Sequence, residues 1–167
     1  FRNADAIYKV NRKTGRVVWK LGGTTTPRSL ELVNGPADGY PLGGQHGVHV
    51  LPDKTITVFN NRTDLAGSQP RAQRFRIDED AGTAKIIGTI RNERVGETFC
   101  CGSAQMLPSK EWLVSWGNSG LTGAYDEAGR PLFRLDLDIL WSYRANAVPD
   151  GVVSALRLRK AMNFMNR

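Results

Sequence analysis

The feature that most constrains this chain is an internal repeat. One run reads His46-Gly-Val-His-Val-Leu-Pro-Asp-Lys-Thr-Ile-Thr-Val-Phe-Asn-Asn61, and it recurs as Ser103-Ala-Gln-Met-Leu-Pro-Ser-Lys-Glu-Trp-Leu-Val-Ser-Trp-Gly-Asn118. Leu51-Pro52 matches Leu107-Pro108, and Thr57-Val58 matches Leu113-Val114, at one offset of 56 residues. In each copy a strand ends at Leu-Pro, a polar turn follows and a second strand begins. A proline there removes a ladder donor and starts the turn.

A second pattern occurs three times, at Ala6 to Leu21, Gln73 to Ile87 and Gly123 to Leu135. Each copy is a strand, an Asx, a short turn closing on glycine, and another strand. The anchors are Asn11 and Gly15, Asp78 and Gly82, and Asp126 and Gly129. Asx side chains bond their own backbone in turns, and glycine supplies the positive φ of a tight hairpin.

Assembled in order, the chain gives half a unit, a unit near 46–90 and a unit near 103–138. Four strands in about 40–50 residues is the period of a propeller blade. An ordinary antiparallel sandwich with two similar hairpins is the competing architecture, and the third copy of the turn signature argues against it. The expected fold is all-β: a β-propeller fragment of about two and a half four-stranded blades, with a short C-terminal α-helix. Such a fragment cannot close a ring, so about three further blades must precede it or come from another chain. The opening Phe1-Arg2-Asn3, without Met or leader, agrees with a missing N-terminal part.

Beyond Pro149 the period changes. Ala155, Leu158, Met162 and Met165 recur at helical spacing with Ser154 as N-cap, while Arg157, Arg159 and Lys160 fall mostly off that stripe. This predicts a short amphipathic helix packing on the propeller or on a partner. The expected division is therefore residues 1–148 as propeller blades and 149–167 as a helical extension.

Composition excludes more than it selects. The 167 residues are 40% hydrophobic and 23% charged, and no run approaches the length of a membrane helix. A net charge of +7 favours anionic partners. The basic residues are dispersed and no recognition motif or interleaved aromatics accompany them, so nucleic acid is not an expected partner. The two cysteines, Cys100-Cys101, are adjacent, and with only His46 and His49 beside them no zinc spacing exists. No metal and no cofactor are expected. A vicinal disulfide and a pair of buried free thiols both fit.

Two stretches stand apart from the strand pattern: a long Gly- and Pro-rich loop from Thr24 to Gly44, and a shorter polar loop from Asn60 through Arg71. Loops of the first length in compact domains are usually functional or disordered. In a blade, His46 would open the inner strand at the channel, with Asn60, Asn61 and Arg62 in the adjoining strand end. Glycines at 43, 44 and 47 leave room there for a ligand. His49, three residues on in a strand, should face the opposite way and be structural. The glycines lack the strand–GxGxxG–helix context of a phosphate cradle.

These residues also resemble a family. Asp5 to Val10 with Thr14 to Gly23, Gly44-Gln45-His46 with Val50-Leu51-Pro52, and Thr57 to Asn61 are similar to bacterial arylsulfotransferases. Phe99 to Ala104, Val114-Ser115-Trp116-Gly117 and Ser142-Tyr143-Arg144-Ala145 resemble an actinobacterial-type branch of it. The resemblance implies a six-bladed propeller with a central active site, in an extracytoplasmic or secreted protein. It implies sulfuryl transfer from a phenolic sulfate ester to a phenolic acceptor, without a nucleotide donor. It also implies a histidine nucleophile, for which His46 is the counterpart, and a sulfohistidine intermediate with ping-pong kinetics. Charge on the sulfuryl oxygens calls for cationic or amide donors, with Arg28, Arg62 and Arg71 as candidates. Where the family carries a sulfate-binding histidine, this sequence has Asn3, which can donate a hydrogen bond but carries no charge. A fragment lacking the other blades should be inactive alone. The alternative function is a non-catalytic propeller that binds a ligand or protein through its channel face. A quinoprotein-like dehydrogenase is disfavoured by the lack of metal-binding acidic clustering.

Overall fold

A computed structural model of the chain describes residues 1–37, 39–63, 65, 68–138, 141–149 and 151–165. Eleven strands and one α-helix form among these residues, so the fold is all-β with a short C-terminal helix. The strands make three sheets. A hairpin joins β1 (Ala6–Val10) to β2 (Val17–Gly22). The repeat unit 46–90 is an antiparallel meander of β4 (His46–Val50), β5 (Ile56–Asn60), β6 (Arg71–Asp78) and β7 (Thr83–Ile90). The unit 103–138 is a second meander of β8 (Ser103–Met106), β9 (Trp112–Ser115), β10 (Leu121–Tyr125) and β11 (Pro131–Asp136).

The turn residues act as their chemistry predicts. Asn11 Oδ1 accepts from the N–H groups of Lys13 and Thr14, and Gly15 closes that hairpin at φ 68°. Asp78 Oδ1 accepts from Ala81 N–H and Asp126 Oδ1 from Arg130 N–H, with Gly82 and Gly129 again at positive φ. In all three hairpins the Asx side chain bonds the turn backbone, although the turns differ in length.

The first meander is the middle layer. Ile56, Val58 and Phe75 pack with Ile7, Trp19 and Leu21 of the hairpin. Phe59 and Ala72 point the other way, into a core with Ala104, Trp112, Val114 and Trp116 of the second meander. Every residue of β5 is consequently buried, and each large apolar side chain so enclosed stabilises by about 1.5–3 kcal/mol. A strand covered on both faces carries apolar residues on both, here Ile56 and Val58 on one and Phe59 on the other, while the buried Thr57 hydroxyl donates to Ala104 O.

Three expectations are corrected. The stretch from Thr24 to Gly44 is not wholly a loop: Glu31–Val33 forms β3, which pairs parallel to β7 on the outer edge of the middle sheet. Ser29 makes a parallel bridge to Lys20 just before it, so one segment ties the outer edges of two sheets. Asn34 extends that tie by mimicking a peptide group, donating to Ile86 O and accepting from Ile86 N–H, both at 3.1 Å. Second, His49 does not face away from His46. The β4–β5 register runs His46↔Phe59 and then His49↔Thr57, so a β-bulge at Gly47-Val48 returns both histidines to one face. Third, the helix Ala155–Met165 has no buried residue, and Leu158, Met162 and Met165 are exposed rather than packed on the sheets. Its cap is as expected, since Ser154 Oγ accepts from Arg157 N–H.

Candidate active site

At one end of the middle sheet, the start of β4, the end of β5 and the start of β6 come together, bringing His46, Asn60, Asn61, Arg62 and Arg71 into one neighbourhood. The two adjacent asparagines do different work. Asn60 is wholly buried, and its side chain holds the incoming loop: Oδ1 accepts from Gly43 N–H, and Nδ2 donates to Pro41 O and to Gln73 Oε1. Asn61 serves the histidine.

His46, Asn61 and Cys101 close a ring of hydrogen bonds. His46 Nδ1 lies 2.8 Å from Asn61 Oδ1, Asn61 Nδ2 donates to Cys101 O at 3.1 Å, and Cys101 N–H donates to His46 Nε2 at 3.3 Å. The amide orientation follows from its other bonds, because a backbone carbonyl such as Cys101 O can only accept. Asn61 Nδ2 therefore faces Cys101 and Thr98 Oγ1, which leaves Oδ1 toward the imidazole. An acceptor on Nδ1 requires Nδ1–H. The backbone N–H on Nε2 requires a lone pair there, so both ends of the ring select one neutral tautomer. The nitrogen available as a nucleophile is Nε2, and its present partner is at the weak, long end of hydrogen bonding.

The scaffold behind the histidine is equally determined. Gly44 N–H donates to Asp5 Oδ1 at 2.6 Å, and Gln45 Nε2 donates to Phe1 O and Ala6 O. Gly47 sits at φ 61° where a Cβ would meet Ser103 Cα at 3.2 Å, so the bulge both needs glycine and lets β4 approach the second meander. Arg62, also left-handed at φ 58° and buried, donates from Nη1 to Tyr40 O and from Nη2 to Ser68 Oγ. Arg71 is buried opposite Asn60 in the β5–β6 register. A cavity of about 450 Å³ opens beside this cluster, lined among others by Asn61, Arg62, Thr98, Phe99 and Asn118.

The remaining candidates lie elsewhere. Asn3 is exposed in a 3-10 turn, accepts from Arg2 Nη1, and lines a separate cavity of about 490 Å³ with Phe1, Arg2 and Ala4. Arg28 is exposed on the segment that edges β2, its carbonyl accepting from Lys20 N–H. The structure does not bring Arg28 into the His46 cluster. His49, on the same face as His46, has its pKa lowered by burial and by the Arg144 charge.

The cysteines stand as free thiols with their sulfurs 2.7 Å apart. Burial and the neighbouring Cys101 thiol push the Cys100 thiol up to about 11. At neutral pH Cys100 is thus protonated and a poor nucleophile. Cys101 acts through its backbone, and it is held at φ 64°, a conformation uncommon for a residue with a side chain. Sequence reading missed Cys101, Thr98 and Asp5 as site-building residues: Cys101 acts through its peptide group, and the Thr98 hydroxyl and Asp5 carboxylate come from segments distant in sequence from Asn61 and Gly44. Among the described residues no group of three metal-ligating side chains converges.

The family model for arylsulfotransferases matches residues 1–137, a span that includes all three sheets, and the chain belongs to that family. No curated protein matches it. Among the described residues no helix is long and apolar enough to cross a membrane.

Proposed function

We propose that this chain contributes the nucleophile half of an active site that moves a sulfuryl group from an aryl sulfate ester to a phenolic acceptor. The observation that carries this reading is the closed ring of His46, Asn61 and Cys101, which holds a neutral imidazole with its lone pair on Nε2. Membership of the arylsulfotransferase family supplies the reaction class. Nε2 attacks sulfur, the N–S bond forms, and the S–O bond breaks with its electron pair leaving on the phenolate. The sulfated ring becomes an imidazolium whose Nδ1–H is stabilised by Asn61 Oδ1. Cys101 N–H, released from Nε2, is within reach of a sulfuryl oxygen and acts as an oxyanion donor. The acceptor phenol gives up its proton to solvent water, its oxygen attacks sulfur, and the N–S electron pair returns to Nε2.

The same proposal reads the three sheets as blades of a six-bladed propeller, closed by blades beyond these three, with residues 1–148 forming propeller and 149–167 a helical extension. It includes Asn60, Arg62 and Arg71 as the polar surround of the sulfuryl group, Asn3 and Arg28 as more distant contributors, membership of the actinobacterial-type branch, and an extracytoplasmic or secreted location.

One observation favours a second reading. Cys101 N–H occupies Nε2 in this structure, as expected if His46 were a structural residue of a ligand-binding propeller without catalysis. The intact protein, given a chromogenic aryl sulfate and a phenol, separates the two. Transfer releases coloured phenolate, leaves an acid-labile adduct on His46, and falls about a thousandfold or more in His46→Ala. Turnover unchanged in His46→Ala would remove the nucleophile from this residue, and no turnover across a donor panel would favour the binding protein.

A further inference from the structure

A sulfuryl donor has two ends, and the cluster around His46 serves the anionic one. The other end is an aryl ring, which needs a flat apolar surface. Phe99 lines the cavity of about 450 Å³ that Asn61 and Arg62 also line. It stands two residues before Cys101, whose N–H meets His46 Nε2, so their Cα atoms lie within about 7 Å of each other by chain geometry.

The backbone of Phe99 is held on both sides. Its N–H donates to Asn118 Oδ1 at 3.0 Å, and its carbonyl accepts from Arg2 Nη2 at 2.6 Å. Its ring is nevertheless 55% exposed. Trp141, itself 50% exposed, meets it edge to face, with centroids 5.4 Å apart and planes at 85°. Both peptide groups of Phe99 are thus held, and the tilt of its ring is set against a second aromatic. Leu65 is the other apolar residue of the lining. The rest of the lining is polar and includes Glu97 as well as Arg62, so Phe99 and Leu65 are its apolar surface.

We infer that Phe99, buttressed by Trp141, is the platform on which the aryl ring of the sulfate donor stacks, and so a specificity-determining residue. The inference rests on the sulfuryl-transfer reading of His46. Offset or edge-to-face packing on the Phe99 ring positions the ester with its sulfur toward Nε2, and it selects aryl over alkyl sulfates. Phe99 takes no part in bond making.

Sulfonates bind without transferring a group, because the sulfur is held by carbon, so affinity can be measured apart from chemistry. Calorimetric titration of the intact protein with p-toluenesulfonate and with methanesulfonate should show about a tenfold preference for the aryl compound. Phe99→Ala should erase that preference and leave methanesulfonate binding unchanged. Phe99→Leu, which keeps an apolar contact for Trp141, should retain only part of it, and this variant decides the matter if the alanine variant does not fold. A parent protein without preference, or a folded Phe99→Ala with the preference intact, overturns the platform. If the preference depends on Phe99 while no donor is turned over, the platform stands and sulfuryl transfer falls. If transfer proceeds and Phe99→Ala leaves the KM for aryl donors unchanged, transfer stands and the platform falls.

Discussion

His46 and Ser103 occupy the same place in two copies of one unit, yet they end in different chemistry. Each is the first residue of its meander, each pairs with β5 or β9 at an equivalent step (Phe59 or Ser115), and each reaches the chain segment that follows its sheet. Ser103 spends its hydroxyl entirely on Ala145, accepting from its N–H at 3.0 Å and donating to its carbonyl at 3.2 Å. His46 is met by the Cys101 backbone and by Asn61, a combination that fixes a tautomer and leaves one nitrogen with a lone pair. β8 runs in unbroken register, whereas β4 carries a bulge. The lesson is that the scaffold is common to both repeats, while a bulge and one asparagine separate a hydroxyl closed on its own segment from an imidazole held in one tautomer.

That comparison can be broken in three places. The largest effect should come from Asn61→Leu, which removes the acceptor of Nδ1–H and should slow sulfuryl transfer on the order of a hundredfold. Ser103→Ala, at the position equivalent to His46, should leave turnover within about twofold while the unpaired Ala145 groups cost about 1 kcal/mol of stability. Steady-state rates with a chromogenic donor measure both, and equal losses would erase the distinction between the repeats.

The next effect concerns the bulge. Gly47→Ala forces a side chain into φ 61° against Ser103 Cα and should destabilise by about 1–2 kcal/mol. The matching residue in β8 is Ala104, already accommodated in a regular strand, so Ala104→Gly should cost only about 0.5–1 kcal/mol. Urea midpoints compare the two, and a harmless Gly47→Ala would mean the bulge is not needed.

The smallest effect tests whether His49 shares the histidine face in the way the register requires. Burial and Arg144 place its folded pKa below the ordinary 6.5. Neutral His49 is thus the form the fold prefers. Its contribution to stability is full above pH 6.5 and is lost as pH falls below that value through the folded pKa. Arg144→Ala should raise the His49 pKa toward the ordinary value in an NMR titration, and no movement would take Arg144 out of its surroundings.

Much of this was legible in the residues. The two meanders follow from the repeat, and the hairpins from Asn11, Asp78 and Asp126. The bulge left a trace that went unread: His46 lies 57 residues before Ser103, but Leu51 lies 56 before Leu107, and the one-residue slip is the extra residue of β4. Strict alternation misplaced His49 for that reason. β3 was hidden because three residues in parallel pairing with a distant strand have no local period to display. The ring around His46 was half visible, with Asn61 marked by its neighbours and Cys101 concealed, because what it contributes is its peptide group. The apolar stripe of the terminal helix was correctly periodic, but periodicity names a face and not what covers it.

The segment that ties the outer edges of two sheets also sets an order of events. β3 is made early, yet its partner β7 lies fifty-two residues further along the chain. At a synthesis rate of about 5–20 residues per second, the waiting time is roughly 3–10 seconds. During it β5 emerges and can cover the first hairpin, but Glu31–Val33 still has no strand to pair with. The seam between the first two layers is therefore completed only when the last strand of the first meander arrives, and a lesion at Asn34 or Glu31 would be felt first as slow folding.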